Sequence, residues 1–233
     1  MTDRIAILGD FNPAYYTLHA LNDSTRAVQR YLGKEIQFDW IATDIFDGRQ
    51  VFEKLEYKGL WIAPGSPYRD MANVLRAIHY ARENRLPAFG NCGGFQHMVI
   101  EFARNVCGVT EAGHEEEFPG GRELVIRKLE CSLKGEQEQV QIIDHSSLLF
   151  QTIGRRSLLG KYFCSYGLNE EYVPVLAANG LNFTSCSEDG HYRSFELGTH
   201  PFFVGTLFQP ALTSTATQPD PIIIAFVKAA LNI

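Results

Sequence analysis

The sequence lacks the features that mark several classes of protein. No apolar run approaches the ~20 residues that span a membrane, and the first residues, MTDRIAILGD, place charges where a signal peptide needs an apolar segment. No run of lysine and arginine stands out, and the formal net charge is −6. These absences predict a cytoplasmic protein without a membrane or nucleic-acid partner.

Cysteine is present, but not in a pattern that predicts a cross-link or a metal site. The five cysteines are an odd number, are widely spaced and include no Cys-x-x-Cys pair. They therefore predict neither a disulfide framework nor a four-ligand zinc site. The acidic run 115–117 is interpreted as a solvated loop with Glu117 alone turned inward, since three consecutive side chains cannot converge on a metal ion. We expect no metal and no cofactor.

The order of the predicted elements changes near Glu111. Before it, short apolar strands alternate with amphipathic helices, which is typical of a parallel sheet covered by helices. After it, strands predominate until a closing helix at 221–231. We therefore expect one α/β domain over 1–233, an open, mostly parallel sheet with added antiparallel strands. The predicted strands are 4–8, 36–42, 60–63, 86–90, 123–129, 173–178, 182–187, 192–197 and 202–208, the other helices are 23–32, 69–83 and 95–106, and 11–22 is predicted as a loop.

The most informative segment is LPAFGNCGGFQ at 86–96, in which a strand runs through a Gly-x-Cys-x-Gly turn into a helix. This is the arrangement of a nucleophile elbow with Cys92 at its centre. The start of the helix favours a thiolate. The N–H group of Gly93 is placed to stabilise an oxyanion, and the turn containing Gly65 offers a second donor. The alternative interpretation is a buried cysteine in a glycine-rich turn.

The chain resembles the class I glutamine amidotransferase domain of CTP synthase over about residues 23–211. The resemblance is closest over IHYARENRLPAFGNCGGFQHMVIEFARN at 78–105 and HPFFVGTLFQP at 200–210. It implies a class I glutamine amidotransferase-like, flavodoxin-like fold. It does not include the synthetase domain, so these residues alone are expected to make no CTP.

The resemblance also implies roles for individual residues. Cys92 matches the nucleophile that forms a glutamyl thioester, and Gly65 and Gly93 match the backbone of the oxyanion hole. Gln96 and Glu117 match residues that hold the glutamine substrate.

Three positions depart from the family pattern. The family's His-Pro-Glu, with its general base and the group that orients it, reads Gln209-Pro210-Ala211 here. The family's arginine for the substrate carboxylate falls in the segment Cys164-Ser165-Tyr166-Gly167, which has no basic residue. A carboxamide cannot accept a proton near neutral pH, so we expect a poor or inactive glutaminase.

Two histidines are candidates for a substitute base. His19 follows the first strand, on the expected edge of Cys92, and His114 lies near Glu117. Each is also consistent with an ordinary solvated loop histidine.

Three functional hypotheses remain open from the sequence. The first is a cysteine-dependent amidase or hydrolase acting on a small amide-like molecule. The second is a non-catalytic module that binds a metabolite or a partner protein. The third is a glutaminase subunit that works with a separate synthetase, and a homo-oligomer is also compatible with the sequence.

Overall fold

The computed structural model describes residues 2–46, 52 and 55–233, and this part of the chain forms a nine-stranded and a three-stranded sheet flanked by helices. The strands are β1 (Asp3–Leu8), β2 (Ile36–Ile41), β3 (Gly59–Ile62), β4 (Ala88–Asn91), β5 (Gly113–His114), β6 (Leu124–Lys128), β7 (Gln137–Ile142), β8 (Ser157–Lys161), β9 (Tyr166–Leu168), β10 (Leu181–Cys186), β11 (Tyr192–Leu197) and β12 (Phe203–Thr206). The α-helices are α1 (Tyr16–Leu32), α2 (Met71–Glu83), α3 (Gly93–Asn105), α4 (Leu148–Ile153), α5 (Val173–Ala178) and α6 (Pro221–Leu231).

The large sheet has the order β2-β1-β3-β4-β12-β11-β10-β7-β8. Its first five strands are parallel, and the remaining four continue it in antiparallel pairs. The predicted α/β architecture, a mostly parallel sheet with added antiparallel strands, is therefore confirmed. The small sheet, β5-β6-β9, contains the segment that follows the acidic loop.

The central parallel strands β3, β4 and β12 are short and fully buried, as their mostly apolar sequences predict. Every residue of β3 and β4 is buried. Trp61 of β3 packs against Phe89 of β4 with ring centroids 5.4 Å apart, and Phe226 of α6 covers both rings. The Trp61 indole N–H donates to the Asn91 side-chain oxygen at 2.8 Å, so this buried donor is satisfied. This packing fixes the carboxyl end of β4, where the elbow begins.

Two predicted segments have a different structure, and the predicted elements do not include strands β5, β7, β8 and β9 or helix α4. The predicted strand at 173–178 is helix α5, because Pro174 suits the first turn of a helix and cannot donate a hydrogen bond to a sheet. The predicted loop at 11–22 contains the start of α1, which begins at Tyr16. Asp23 and Ser24 suggested a helix start, but they lie within the helix, and Tyr15 at the actual start makes no side-chain cap.

No helix in the described part of the chain is both long enough and apolar enough to cross a bilayer.

Candidate active site

Cys92 occupies a sharp turn between β4 and α3. Its backbone angles are φ 53° and ψ −110°, which is a left-handed conformation for a residue with a side chain. Such a conformation typically costs 1–3 kcal/mol and persists when the surrounding structure fixes it. The N–H of Cys92 donates to the Thr206 carbonyl at 2.9 Å, which ties the turn to β12. The strand, strained cysteine and helix are the elements of a nucleophile elbow.

Glycine is required on both sides of the turn because backbone and side chains approach closely. A Cβ atom on Gly90 would lie 2.5 Å from the Met98 sulfur and 2.7 Å from the Gly94 carbonyl carbon. A Cβ atom on Gly94 would lie 2.4 Å from the Ile62 carbonyl oxygen. These contacts are the physical reason for the Gly-x-Cys-x-Gly pattern.

The Cys92 sulfur is buried between hydrogen-bond donors and one acceptor, the Phe163 carbonyl oxygen, to which the thiol donates at 3.7 Å. A hydrogen bond from the Cys164 thiol is the largest cause that lowers the pKa of Cys92, while burial opposes it. The backbone N–H groups of Gly93 and Gly65 also lower the pKa of Cys92. The same thiol contact and burial raise the pKa of Cys164, so Cys164 retains its proton. The arrangement favours a Cys92 thiolate beside a neutral Cys164 thiol.

A cavity of about 540 Å³ opens beside the two thiols. The buried residues Cys92, Cys164 and Gln209 line it, as do aromatic side chains including Phe11, Tyr15 and Phe163. It lies beyond the carboxyl ends of the parallel strands, where open α/β sheets bind ligands. A cavity of this volume accommodates a small molecule.

Gln209 lies in this cavity with an unsatisfied side chain. The residue is 1% exposed, and neither its Nε2 nor its Oε1 has a hydrogen-bond partner among the described residues. Leaving a buried donor or acceptor unpaired typically costs 1–3 kcal/mol. Ala211, two residues later, is buried and has no polar side-chain atom. Gln209 therefore has an unpaired amide NH₂ group and an unpaired amide oxygen beside the cavity.

Gln96 lies one helical turn after Cys92 and lines the cavity. Its Nε2 donates to the Tyr166 carbonyl at 2.7 Å, and its Oε1 lies 3.1 Å from His114 Nε2. The Glu116 N–H donates to His114 Nδ1 at 3.1 Å, so the proton of His114 is on Nε2 and points at Gln96. Burial, with a smaller contribution from neighbouring His97, lowers the pKa of His114 to about 3. His114 is therefore neutral, fully hydrogen-bonded and directed at Gln96.

His19, the other candidate base, is not directed at the Cys92 thiol. It is exposed, and its Nε2 lies 2.8 Å from the Pro13 carbonyl. All seven histidines lie in the described part of the chain, and none of them lines the cavity. The structure thus places neither His19 nor His114 as a base for Cys92.

The three acidic residues of the loop point to different partners. Glu115 accepts from the Lys128 N–H, and Glu117 lies 3.3 Å from His97 Nε2. Glu116 accepts a hydrogen bond from the Ser66 hydroxyl at 3.0 Å and lines the cavity. The sequence interpretation turns Glu117 alone inward. Glu117 does face the buried His97, but the carboxylate that lines the cavity is Glu116.

The cavity also carries positive charge. Lys134 lines it, is exposed and lies over the Phe163 ring at 5.9 Å. Arg69 lines it too, but its guanidinium pairs with Asp44 at 3.3 Å. Ser165, in the segment 164–167 where the resemblance leads us to expect an arginine, lines the cavity as well.

Comparisons with known proteins give this site a context. The family model described as glutamine amidotransferase class-I matches residues 20–229. The chain belongs to the class I glutamine amidotransferase family. It is 30% identical over its whole length to a CTP synthase from Saccharolobus solfataricus and 33% identical over 83% of its length to one from Sulfurisphaera tokodaii. It spans 45% and 38% of those relatives, which is less than half of their length.

Solved structures support the amidotransferase fold. The chain is similar to the CTPS glutaminase domain of Trypanosoma brucei with bound acivicin, with a TM-score of 0.90, 24% identity and coverage of 99% of this chain and 94% of that one. It is also similar to a glutamine amidotransferase from Thermotoga maritima, with a TM-score of 0.61, 11% identity and coverage of 100% and 97%. These likenesses concern the fold alone.

The amidotransferase fold brings most of the predicted site residues together. Gly65, Cys92, Gln96 and Gln209 line one cavity, and Gly93 directs its N–H at Cys92. Sequence reasoning missed the contact between Cys92 and Cys164, because the two residues are 72 positions apart and neither belongs to a paired-cysteine motif.

Proposed function

We propose that this chain is a cytoplasmic, Cys92-dependent amidohydrolase that acts on a small amide, lactam or ester-like molecule and is a poor glutaminase. The observation that supports it is the strained cysteine in the wall of a cavity, with two backbone N–H groups and one thiol directed at its sulfur. A purely structural cysteine would not require this conformation.

The proposed reaction begins with attack of the Cys92 thiolate on the carbonyl carbon. The N–H groups of Gly65 and Gly93 accommodate the negative charge that develops on the carbonyl oxygen. The C–N bond then breaks, leaving a thioester on Cys92, and the departing nitrogen takes a proton. Cys164 is a candidate donor, since its thiol is protonated beside the nucleophile. Water hydrolyses the thioester and restores both thiols.

The unpaired side chain of Gln209 favours a substrate that contains an amide group. Its unpaired carboxamide offers a donor and an acceptor side by side, and a cis amide or lactam edge presents the complementary acceptor and donor. The aromatic side chains along the cavity favour an apolar body attached to that amide. The proposed substrate is thus a small amide or lactam with an apolar body and no glutamine-type α-carboxylate.

Efficient glutamine hydrolysis is disfavoured by three side chains. Gln209 cannot act as a general base, Ala211 cannot orient one, and Ser165 cannot pair with a substrate carboxylate as an arginine does. Loss of a general base alone typically costs 10²–10⁴ in rate. Lowering the pKa of Cys92 compensates for the base in forming a thiolate but does not anchor glutamine.

The first experiment measures the reactivity of Cys92. Wild-type protein is treated with iodoacetamide at pH values from 5 to 10, and alkylation of Cys92 is followed by peptide mass spectrometry. The Cys92→Ala variant, treated in the same way, verifies that the signal comes from Cys92. We expect the midpoint of Cys92 alkylation to lie below that of Cys131, an exposed cysteine of the same chain that serves as the internal control. Alkylation no faster than that of Cys131 at neutral pH would count against the hydrolase.

The second experiment tests turnover. A panel of small amides and lactams, with glutamine included, is incubated with wild type and with Cys92→Ala, and product release and Cys92 acylation are measured. We expect turnover of an amide lacking the α-carboxylate, lost in Cys92→Ala. Ammonia release from glutamine at a rate typical of amidotransferases, and dependent on Cys92, would contradict the proposal.

A non-catalytic binding module is the second candidate. The replaced Gln209 and Ala211 favour it, because the same unpaired carboxamide serves binding without chemistry. The Cys92→Ser variant separates the two candidates. A binding module retains ligand affinity and shows no turnover in either form, whereas a hydrolase loses turnover on this substitution.

A partner protein is the third candidate. The matched relatives are named CTP synthase and are more than twice as long as this chain, so a separate synthetase could use ammonia released here. Glutamine hydrolysis that appears only when such a synthetase is added would support it. Sedimentation of the isolated chain distinguishes this arrangement from a homo-oligomer.

A further inference from the structure

A second thiol contacts the nucleophile, and the proposed hydrolysis uses it at most as a proton donor. Cys92 and Cys164 are each 5% exposed and line the same cavity, and the Cys164 thiol is near enough to lower the pKa of Cys92. The Cys92 sulfur is also 3.7 Å from the carbonyl oxygen of Phe163, the residue before Cys164. Two cysteines from distant parts of the chain thus meet at the wall of an open cavity.

We propose that Cys92 and Cys164 form a reversible disulfide when a hydroperoxide enters the cavity. With hydrogen peroxide, the Cys92 sulfur attacks one oxygen, an S–O bond forms, the O–O bond breaks and hydroxide leaves. The hydroxide takes up a proton equivalent to the one that Cys92 released and becomes water. The Cys164 sulfur then attacks the Cys92 sulfenic sulfur, an S–S bond forms, and the hydroxyl group leaves with the Cys164 proton as a second water. Two electrons pass from the thiols to the peroxide.

The geometry suits both steps. The first needs a thiolate that a small oxidant can reach, and Cys92 combines a favoured thiolate with a position on the cavity wall. The second needs a neighbouring thiol that moves from contact to an S–S length of about 2.05 Å. Cys92 is fixed by the elbow, whereas Cys164 lies in the irregular connection between β8 and β9, so the movement falls to Cys164.

The disulfide would have two consequences. It removes the nucleophile from use until a thiol reductant restores it, and it prevents Cys92 from being oxidised further to sulfinic acid, which most cells cannot reverse. Disulfides in a reducing compartment are usually transient and redox-active, which fits a bond formed at a reactive sulfur. This inference stands independently of the amide chemistry, because it requires only the two thiols and the cavity.

The experiment uses hydrogen peroxide as the probe and peptide mass spectrometry as the readout. Trypsin releases Cys92 in the peptide 86–104 and Cys164 in 162–193, which also contains Cys186. The Cys186→Ser background is therefore used, so that a link between the two peptides identifies one pair. We expect the linked peptides after peroxide treatment of the folded protein and their loss on adding dithiothreitol. At least a tenfold loss of Cys92 alkylation, recovered with the reductant, should accompany the link.

Matched variants make the result specific. In Cys164→Ser, the same peroxide dose should give Cys92 carrying two or more added oxygen atoms, with no recovery by dithiothreitol, while Cys131→Ser should behave as the background does. Circular dichroism verifies that each variant is folded, and the background protein alone supplies the linked peptides if Cys164→Ser does not fold. Absence of the link in the background, whether Cys92 stays reduced or is over-oxidised, overturns the inference. If the linked peptides form in a protein without amidase activity, the disulfide inference stands and only the proposed hydrolase function is overturned.

Discussion

His114 shows how one buried side chain makes the stability of the folded protein depend on pH. Its ring is fully buried and neutral, with both nitrogens in hydrogen bonds, and its pKa is about 3 against 6.5 for an ordinary histidine. The unfolded chain therefore binds a proton below pH 6.5 that the folded chain excludes down to about pH 3. The stabilisation from His114 is fully present above pH 6.5 and is lost progressively as the pH falls toward 3.

We predict that wild type loses about 1 kcal/mol more stability than His114→Gln between pH 7 and pH 5.5. Urea unfolding of both proteins at the two pH values measures this difference, and His200, whose pKa is also lowered by burial, is common to both and cancels. Equal losses would mean that His114 is protonated in the folded state, contrary to its hydrogen bonds.

At this scale the sequence predicted the residues with a local signal. The glycine pattern around Cys92 predicted the elbow, and the glutamine at position 209 could be read directly from the amino-acid sequence. The partner of Cys92 was not predictable, because the contact with Cys164 depends on the path of a loop after β8. The choice between Glu116 and Glu117 was also out of reach, because adjacent carboxylates in a loop differ only in direction.

The elbow is the element on which the site depends, and its glycines are constrained by backbone contacts. We predict that Gly94→Ala destabilises the protein by about 2 kcal/mol or more, because the added Cβ would lie 2.4 Å from the Ile62 carbonyl oxygen and neither backbone can move freely. Gly198→Ala is the matched control, since a Cβ there meets no atom within 4 Å. We expect it to change stability by less than ~0.5 kcal/mol. Similar unfolding midpoints for the two variants would show that the strand and helix separate more easily than the packing indicates.

The predicted helices and strands agree with the structure where burial produces an apolar pattern in the sequence. They disagree where a helix begins without a distinctive capping residue. Strands β1, β3 and β4 were predicted because each contains a short apolar run ended by a turn. Helix α1 was predicted to start too late, because Asp23 and Ser24 are residue types that favour a cap but lie within the helix. Helix α5 was predicted as a strand because six mostly apolar residues carry no period, and only Pro174 argued otherwise.

At the scale of the whole molecule, the site is assembled from distant parts of the chain. Gly65 follows β3, Cys92 follows β4, Ser165 precedes β9 and Gln209 follows β12. The register of the sheet brings two of them close, since Asn91 pairs with Thr206. The amidotransferase fold is therefore kept, while on our proposal Gln209, Ala211 and Ser165 stand where the family has the side chains for proton transfer and carboxylate binding. Such a change predicts that function was altered without loss of the framework.

The last prediction tests that interpretation directly. We expect the triple variant Gln209→His, Ala211→Glu, Ser165→Arg to hydrolyse glutamine at least ~10²-fold faster than the parent chain, because it restores a general base, its orienting group and a carboxylate anchor around an intact nucleophile. Each single substitution should give little, since groups that act as a unit are strongly non-additive. Ammonia release is measured, and adding Cys92→Ala to the triple variant should abolish the gain. The prediction fails if the triple variant folds with an unchanged melting temperature and stays inactive. The three substituted side chains would then not be what separates this chain from a glutaminase, and the oxyanion hole at Gly65 and Gly93 would be the feature to test next.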